Sequence, residues 1–166
     1  LWTADSPALD GKYANFHDVV FMPKPVSQPH PPIWVGGESP AAIRRTVQYG
    51  DGWYPVSNNQ KIPLNTPERL RAGIAGLRRS AEKAGRDPAT IDIGYVWFMP
   101  PTWKARPGPD GVGRQMFSGS AADMLEDAAA LKAVGVRHCI LYLQRPTIEQ
   151  TMELTERFAE DVVRQS

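Results

Sequence analysis

Pro29-His30-Pro31-Pro32-Ile33-Trp34-Val35-Gly36-Gly37-Glu38-Ser39-Pro40 is the stretch whose reading decides the fold. The apolar run ending at Val35 reads as a short buried strand, and the two glycines after it let the backbone turn sharply. Ser39 followed by Pro40 marks a helix start. Serine caps the first free amides, and proline at the first helical position gives up an N–H that has no partner there anyway. Strand, glycine turn and helix N-terminus together aim unpaired N–H groups and a positive dipole end at one spot, which suits a phosphate. The candidate residues are Gly36, Gly37, Glu38 and Ser39, with Glu38 lending its backbone N–H while its side chain points to solvent. A tight turn ahead of a capped helix, with no ligand, is the plainer alternative. Gly50-Asp51-Gly52-Trp53-Tyr54-Pro55 then closes the helix and opens the next strand, with Asp51 a structural residue of that turn.

Strands and helices alternate from this point on. Strand 32–36 and a helix over 40–49 make the first unit; strand 52–56 and a helix opened by Thr66-Pro67-Glu68 make the second. In that second helix Leu70, Ile74, Leu77 and Ala81 fall at helical spacing, and Gly85 stops it. The third unit is a strand from Ile91 to Phe98, a long loop, and a helix capped by Ser120 with Asp123 three residues on, whose buried stripe is Met124, Leu125, Ala128 and Leu131. The fourth is a strand from Val136 to Leu143 and a helix opened by Thr147, with Ile148, Met152, Thr155, Phe158 and Val162 down its inner side.

Four successive βα units require a parallel sheet, because each crossover returns the chain in the same direction. An open doubly wound sheet and part of a (β/α)8 barrel both satisfy that order. A whole barrel takes about 250 residues, so 166 hold roughly half. Residues 11–22 alternate like a short β-hairpin, and Pro23 through Pro32 form a proline-stiffened approach. The division expected is therefore a hairpin and approach over 1–31 and four βα units over 32–166. The chain opens at Leu1 in mid-pattern, which reads as a piece of something longer.

Composition narrows the function classes. The chain is 42% hydrophobic, with 19 basic and 18 acidic residues and no run of like charge, which speaks against a nucleic-acid face or an electrostatic membrane binder. No apolar segment approaches the roughly 20 residues of a membrane span. Cys139 is the only cysteine and forms no internal disulfide, so a reducing cytoplasm is the expected location. His17, His30 and His138 have no metal-ligand spacing, so no metal site is expected. No Gly-x-Ser-x-Gly elbow supports nucleophilic hydrolysis.

Leu1-Trp2, Gly11-Lys12-Tyr13 with Phe16, Asp18 and Val19, Pro23-Lys24-Pro25-Val26, Pro31 through Gly37, Arg44-Arg45, Gly50 through Trp53, Ala84 through Pro88 and Ala133 through Val136 form a connected pattern. That pattern resembles the C-terminal half of the bacterial luciferase-like family of flavin- or deazaflavin-dependent oxidoreductases, and its wording is most similar to the deazaflavin-using subgroup. The resemblance implies a (β/α)8 barrel with the cofactor at the C-terminal ends of the strands, either FMN or the deazaflavin coenzyme F-420, its phosphate held by the turn from Gly36 to Ser39. It implies a reduced-flavin monooxygenase or a deazaflavin-dependent hydride transfer, with much of the ring pocket and the catalytic base in the other half. Members that oxidise sugar phosphates carry Thr and Lys where this chain has Val56 and Asn59, which argues against a sugar-phosphate substrate.

Further candidates follow from the barrel. The loop from Met99 to Gly119 emerges on the active face and is long enough for a lid. In it Lys104, Arg106 and Arg114 are candidates for an acidic substrate or the deazaflavin's acidic tail, against the alternative of a solvated flexible loop. Arg145, just past the fourth strand, is a cation on the same face. Trp53 and Tyr54 alternate faces, so one points into the barrel; Trp53 is kept as a substrate-wall candidate beside plain packing. The competing functional readings are a noncatalytic half-barrel that needs its N-terminal half or a partner, and a phosphate-binding barrel enzyme without redox chemistry. Half a barrel leaves strand edges and one sheet face bare, so a homo-oligomer or a partner supplying the missing half is expected.

Overall fold

The computed structural model describes residues 1–165. The chain divides into two compact units, Leu1–Ile33 and Trp34 onward. The first holds an antiparallel hairpin of β1 (Leu9–Asp10) and β2 (Asn15–Phe16), closed by the Gly11 N–H donating to the Ala14 carbonyl at 2.9 Å. The hairpin therefore sits earlier than the 11–22 read from alternation. Asp18, at φ +54, turns the chain out of extended backbone and ends the second arm. Lys24 Nζ donates to the Leu1 and Ala4 carbonyls, and the Trp2 ring lies 5.7 Å from His30.

The second unit is a four-stranded parallel sheet: β3 (Trp34–Gly36), β4 (Gly52–Tyr54), β5 (Asp92–Trp97) and β6 (His138–Leu141), each adjacent to the next. A doubly wound sheet reverses its strand order at a switch point, and this one does not. The sequential order is that of four consecutive units of a (β/α)8 barrel. The helices are α1 (Pro40–Tyr49), α2 (Pro67–Lys83), α3 (Ala121–Val134) and α4 (Ile148–Asp161). Each begins where local chemistry requires. Ser39, Thr66, Ser120 and Thr147 each accept an amide three residues on, and Ser120 with Asp123 completes a reciprocal capping box. Gly135, at φ +105, ends α3 in the left-handed conformation.

The two faces of the sheet differ. Toward the helices, Trp53, Ile93, Tyr95 and Trp97 pack on Leu70, Ile74 and Leu77 of α2 and Met124 and Leu131 of α3. Tyr95 is fully buried; its hydroxyl donates to the Leu64 carbonyl at 2.6 Å, and burial pushes its pKa far up. On the other face the Trp34 ring lies across Gly52 and Gly94, where a Cβ would stand 2.7 and 2.5 Å from it, and meets Tyr54 and His138 edge-on. That face is open, so β3 is not the buried strand expected: Trp34 and Gly36 look outward and only Val35 points to the helices. On α4 the buried line is Leu154, Phe158 and Val162, while Ile148 and Met152 are 75% and 56% exposed, which corrects the stripe read from sequence. Four-residue steps through Leu154 set the inner side, and Ile148 falls on its flank. No helix among the described residues is long and apolar enough to cross a membrane.

Candidate functional site

Parallel strands put all four following loops at one edge of the sheet, and side chains tie these loops in series. The first is the turn after β3. Gly37 sits at φ +102, where any side chain is strained, and a Cβ there would stand 3.3 Å from that of Ala42. Ser39 Oγ accepts from the Ala42 N–H at 3.2 Å, so the hydroxyl caps α1 as expected. The Gly37 carbonyl accepts from Trp53 Nε1 at 2.8 Å, which fixes the turn against the core.

Glu38 departs from expectation. Its side chain does not point to solvent; it is buried, accepting from the Val56 N–H at 2.7 Å and from Asn59 Nδ2. Two donors in the next loop draw the carboxylate toward that loop and tie the two together. Asn59 in turn accepts from the Lys61 and Ile62 amides. Ser57 carries the series on: its N–H donates to the Val96 carbonyl, and its Oγ accepts from the Phe98 N–H at 3.0 Å. Phe98 and Tyr142 lie 6.1 Å apart at the ends of the last two strands, both partly open to solvent. Neither carried a signal in the sequence beyond its place in the strand alternation.

The loop over 99–119 is anchored rather than loose. Met116 and Phe117 are buried in the core, and the Thr102 N–H donates to the Phe117 carbonyl. Asp127, in the inner face of α3, accepts from the Phe117 N–H at 2.7 Å and from both terminal nitrogens of Arg114 at 2.8 and 2.9 Å. Arg114 also approaches Asp123 at 3.4 Å, and its bond to Asp127 raises its pKa further. Arg114 is thus a fastening of the loop, a correction to its candidacy for substrate. Trp53 is corrected likewise: at 1% exposure it packs the core, and Tyr54 takes the open face. Arg106 is exposed and joins the loop through its backbone, its N–H donating to Ser118 Oγ. Arg145 is half-buried beside the α4 N-terminus, where its N–H donates to Thr151 Oγ1 at 2.9 Å. Cys139 stands at the mouth of a separate apolar cavity between β6, α3 and α4; the surrounding walls push its thiol up to about 11. No group of three His, Cys, Asp or Glu among the described residues is placed to hold a metal ion.

The geometry has counterparts. A family profile described as luciferase-like monooxygenase matches residues 1–107. The FMNH(2)-dependent dimethylsulfone monooxygenase of Pseudomonas putida is 32% identical over 99 residues, which is 60% of this chain and 24% of the relative. An F420-dependent secondary alcohol dehydrogenase, solved with an F420–acetone adduct, superposes with a TM-score of 0.67 at 17% identity, over 98% of this chain and 58% of its own. Monooxygenase RslO1 from Streptomyces bottropensis gives 0.66 at 16% identity, over 99% and 57%. At these identities the two structures establish a common fold. The chain spans about a quarter of the curated relative's length, the 24% above, and less than two thirds of either structural neighbour.

Proposed function

The chain belongs to the luciferase-like monooxygenase family, and from that premise we propose that it forms the phosphate-holding side of an oxidoreductase site that uses reduced FMN or coenzyme F420. The observation that carries this reading is the turn after β3. Its left-handed Gly37 leaves no side chain over the start of α1, Ser39 keeps the first turn of that helix capped, and the Glu38 carboxylate is engaged by Val56 and Asn59 in the neighbouring loop. An anion placed there meets backbone N–H groups and the positive end of a ten-residue helix. Gly36, Gly37, Glu38 (by its backbone) and Ser39 would hold the cofactor phosphate. Tyr54, Phe98 and Tyr142, at the C-terminal end of the open sheet face, offer the apolar floor a flat ring needs.

The bound cofactor would supply the redox chemistry, and this chain's residues would anchor, orient and shield it. A relative that works with FMNH2 and a structural neighbour that works with F420 support both cofactors equally. The open sheet face supports one addition. With Trp34, Ile140 and Tyr142 each more than a third exposed, turnover would require the remaining barrel strands or another copy to cover them.

The test is a fluorescence titration with FMN and with F420 separately, on the chain and on the chain supplemented with an N-terminal half-barrel. The tighter ligand names the cofactor. Gly37→Val is expected to weaken binding of both at least about tenfold, the loss of roughly one charge-assisted contact. A folded Gly37→Val variant that binds both as well as wild type sends the phosphate elsewhere and overturns the reading.

A further inference from the structure

At the other end of the same sheet edge, the loops after β5 and β6 meet the first turns of α4 around a cavity of about 600 Å³. Three cations reach its wall from three separate segments: Lys104, Arg145 and Arg157. A single carboxylate, Glu153, shares that wall. The Arg157 guanidinium is fixed 3.9 Å over the Trp103 ring, with its Nε 3.4 Å from Asp161. Arg145 and Lys104 are differently placed. Among the described residues, no carboxylate comes within ion-pair distance of either, whereas Arg69, Arg114 and Arg137 all have one. The Arg145 side chain reaches only the Pro101 carbonyl, at 3.5 Å, the outer limit of a hydrogen bond, so most of its donors are unspent. Trp103, also on the wall, buries its indole N–H without an acceptor.

From these contacts we infer that this cavity binds the carboxylate or phosphate group of a small acidic molecule. Two cations without acidic partners, set in a recess that excludes part of the solvent, attract an anion more strongly than the same charges on an open surface. Three cations against the single carboxylate of Glu153 leave the wall net positive, as an anion site requires. The site lies beside β6, across the sheet from the Gly36–Ser39 turn at β3, so both can be filled at once. Resting on the oxidoreductase reading, this names its substrate class: an organic acid or phosphoester whose charged end is held by Arg145 and Lys104 while its remainder extends over the sheet edge.

The test titrates the chain with inorganic phosphate and with succinate by calorimetry, in wild type and in Arg145→Gln, Lys104→Gln, Gly37→Val and Arg71→Gln, the last on the exposed face of α2. Both anions are expected to bind in the millimolar range, with Arg145→Gln and Lys104→Gln each weakening them roughly tenfold and Arg71→Gln leaving them unchanged. The tighter probe tells a phosphoester from a carboxylic acid. Lys104 is exposed, so its variant keeps the test valid even where Arg145→Gln disturbs the loop packing. No binding, or an equal loss in Arg71→Gln, overturns the site. Loss in Gly37→Val with none in the two cavity variants puts the anion at the β3 turn, which overturns this site and favours the cofactor reading. Loss in the cavity variants, where neither FMN nor F420 binds even with an N-terminal half-barrel supplied, keeps the anion site and removes the oxidoreductase reading.

Discussion

The turn after β3 and the loop after β5 leave the same edge of one sheet, yet they are held by opposite means. The first is short, and its backbone course is shaped by its own residues, a left-handed glycine, a serine cap and a proline at the first helical position, with Trp53, Val56 and Asn59 tying it to its neighbours. The second is about twenty residues long; its two arms are bonded to each other through Thr102, Arg106 and Gly119, and the whole is fastened to α3 by Asp127, which accepts from Phe117 and grips Arg114. A turn whose backbone angles come from its own glycine and cap depends less on any single distant side chain. A loop fastened to its helix by one buried carboxylate loosens at that attachment when the carboxylate is lost. Mobility therefore does not follow from length; it follows from how many bonds and buried side chains fasten a loop.

The largest expected effect breaks the second region. Asp127→Asn keeps the shape but removes the charge facing Arg114, and Asp127→Ala removes the acceptor of the Phe117 amide as well. A buried, hydrogen-bonded ion pair broken on one side costs about 3 kcal/mol, and Arg114's partial exposure places the effect at the lower end of that class. Urea unfolding is expected to show this loss for Asp127→Ala and less for Asp127→Asn. Hydrogen exchange should rise across residues 102–118 and stay unchanged at the β3 turn. Equal exchange in both regions would erase the contrast.

Next in size is Gly37→Val. A β-branched residue at φ +102 is strained by about 2 kcal/mol, and its Cβ crowds Ala42. The loss is expected to be confined to α1 and the turn, with protection in residues 102–118 kept. Ser39→Ala follows at about 1 kcal/mol, the usual cost of a lost cap. Comparing the two by urea midpoint separates backbone strain from capping within one turn.

What the sequence made legible follows the same division. Helix starts at Ser39, Thr66, Ser120 and Thr147 were readable because a cap and the amide it satisfies lie three residues apart. The four-unit order was readable because strands and helices carry different periods. Contacts between distant residues were not. Glu38 reaches Asn59, Asp127 reaches Arg114 through a loop without periodicity, and Arg157 covers the Trp103 ring from α4. None of these pairs obeys a spacing rule, so the sequence alone leaves Glu38 facing solvent and Arg114 a candidate substrate cation. The inner side of α4 is hidden from the sequence for a related reason. Ile148 and Met152 are apolar at helical spacing, but so are Leu154 and Phe158, and only the contacts with the core decide which of the two lines is buried.

The smallest expected effect lies where the two regimes meet, at Ser120 and Asp123, the capping box that ends the long loop and begins α3. Asp123 accepts from the Ser120 N–H and hydroxyl, each at 2.7 Å; the hydroxyl bond is the larger cause holding its carboxyl below the usual range, the backbone bond is the next, and Arg114 adds a minor part. A carboxyl with a lowered folded-state pKa contributes stability that is present above its unfolded value and is lost as pH falls through the folded one. The capping box should thus persist through mildly acidic pH and open only below the ordinary aspartate range. Carbon-detected NMR titration of the Asp123 carboxyl reads this directly. Ser120→Ala is expected to move the titration upward toward the free-aspartate value, leaving only the backbone bond and Arg114 to hold it down. The Asp127→Asn variant should leave it almost in place, because the cap is local and the anchor is not. An Asp123 titration that moves more with Asp127→Asn than with Ser120→Ala would mean that the anchor also sets the cap, and that the two regions are held by one network rather than by two kinds of chemistry.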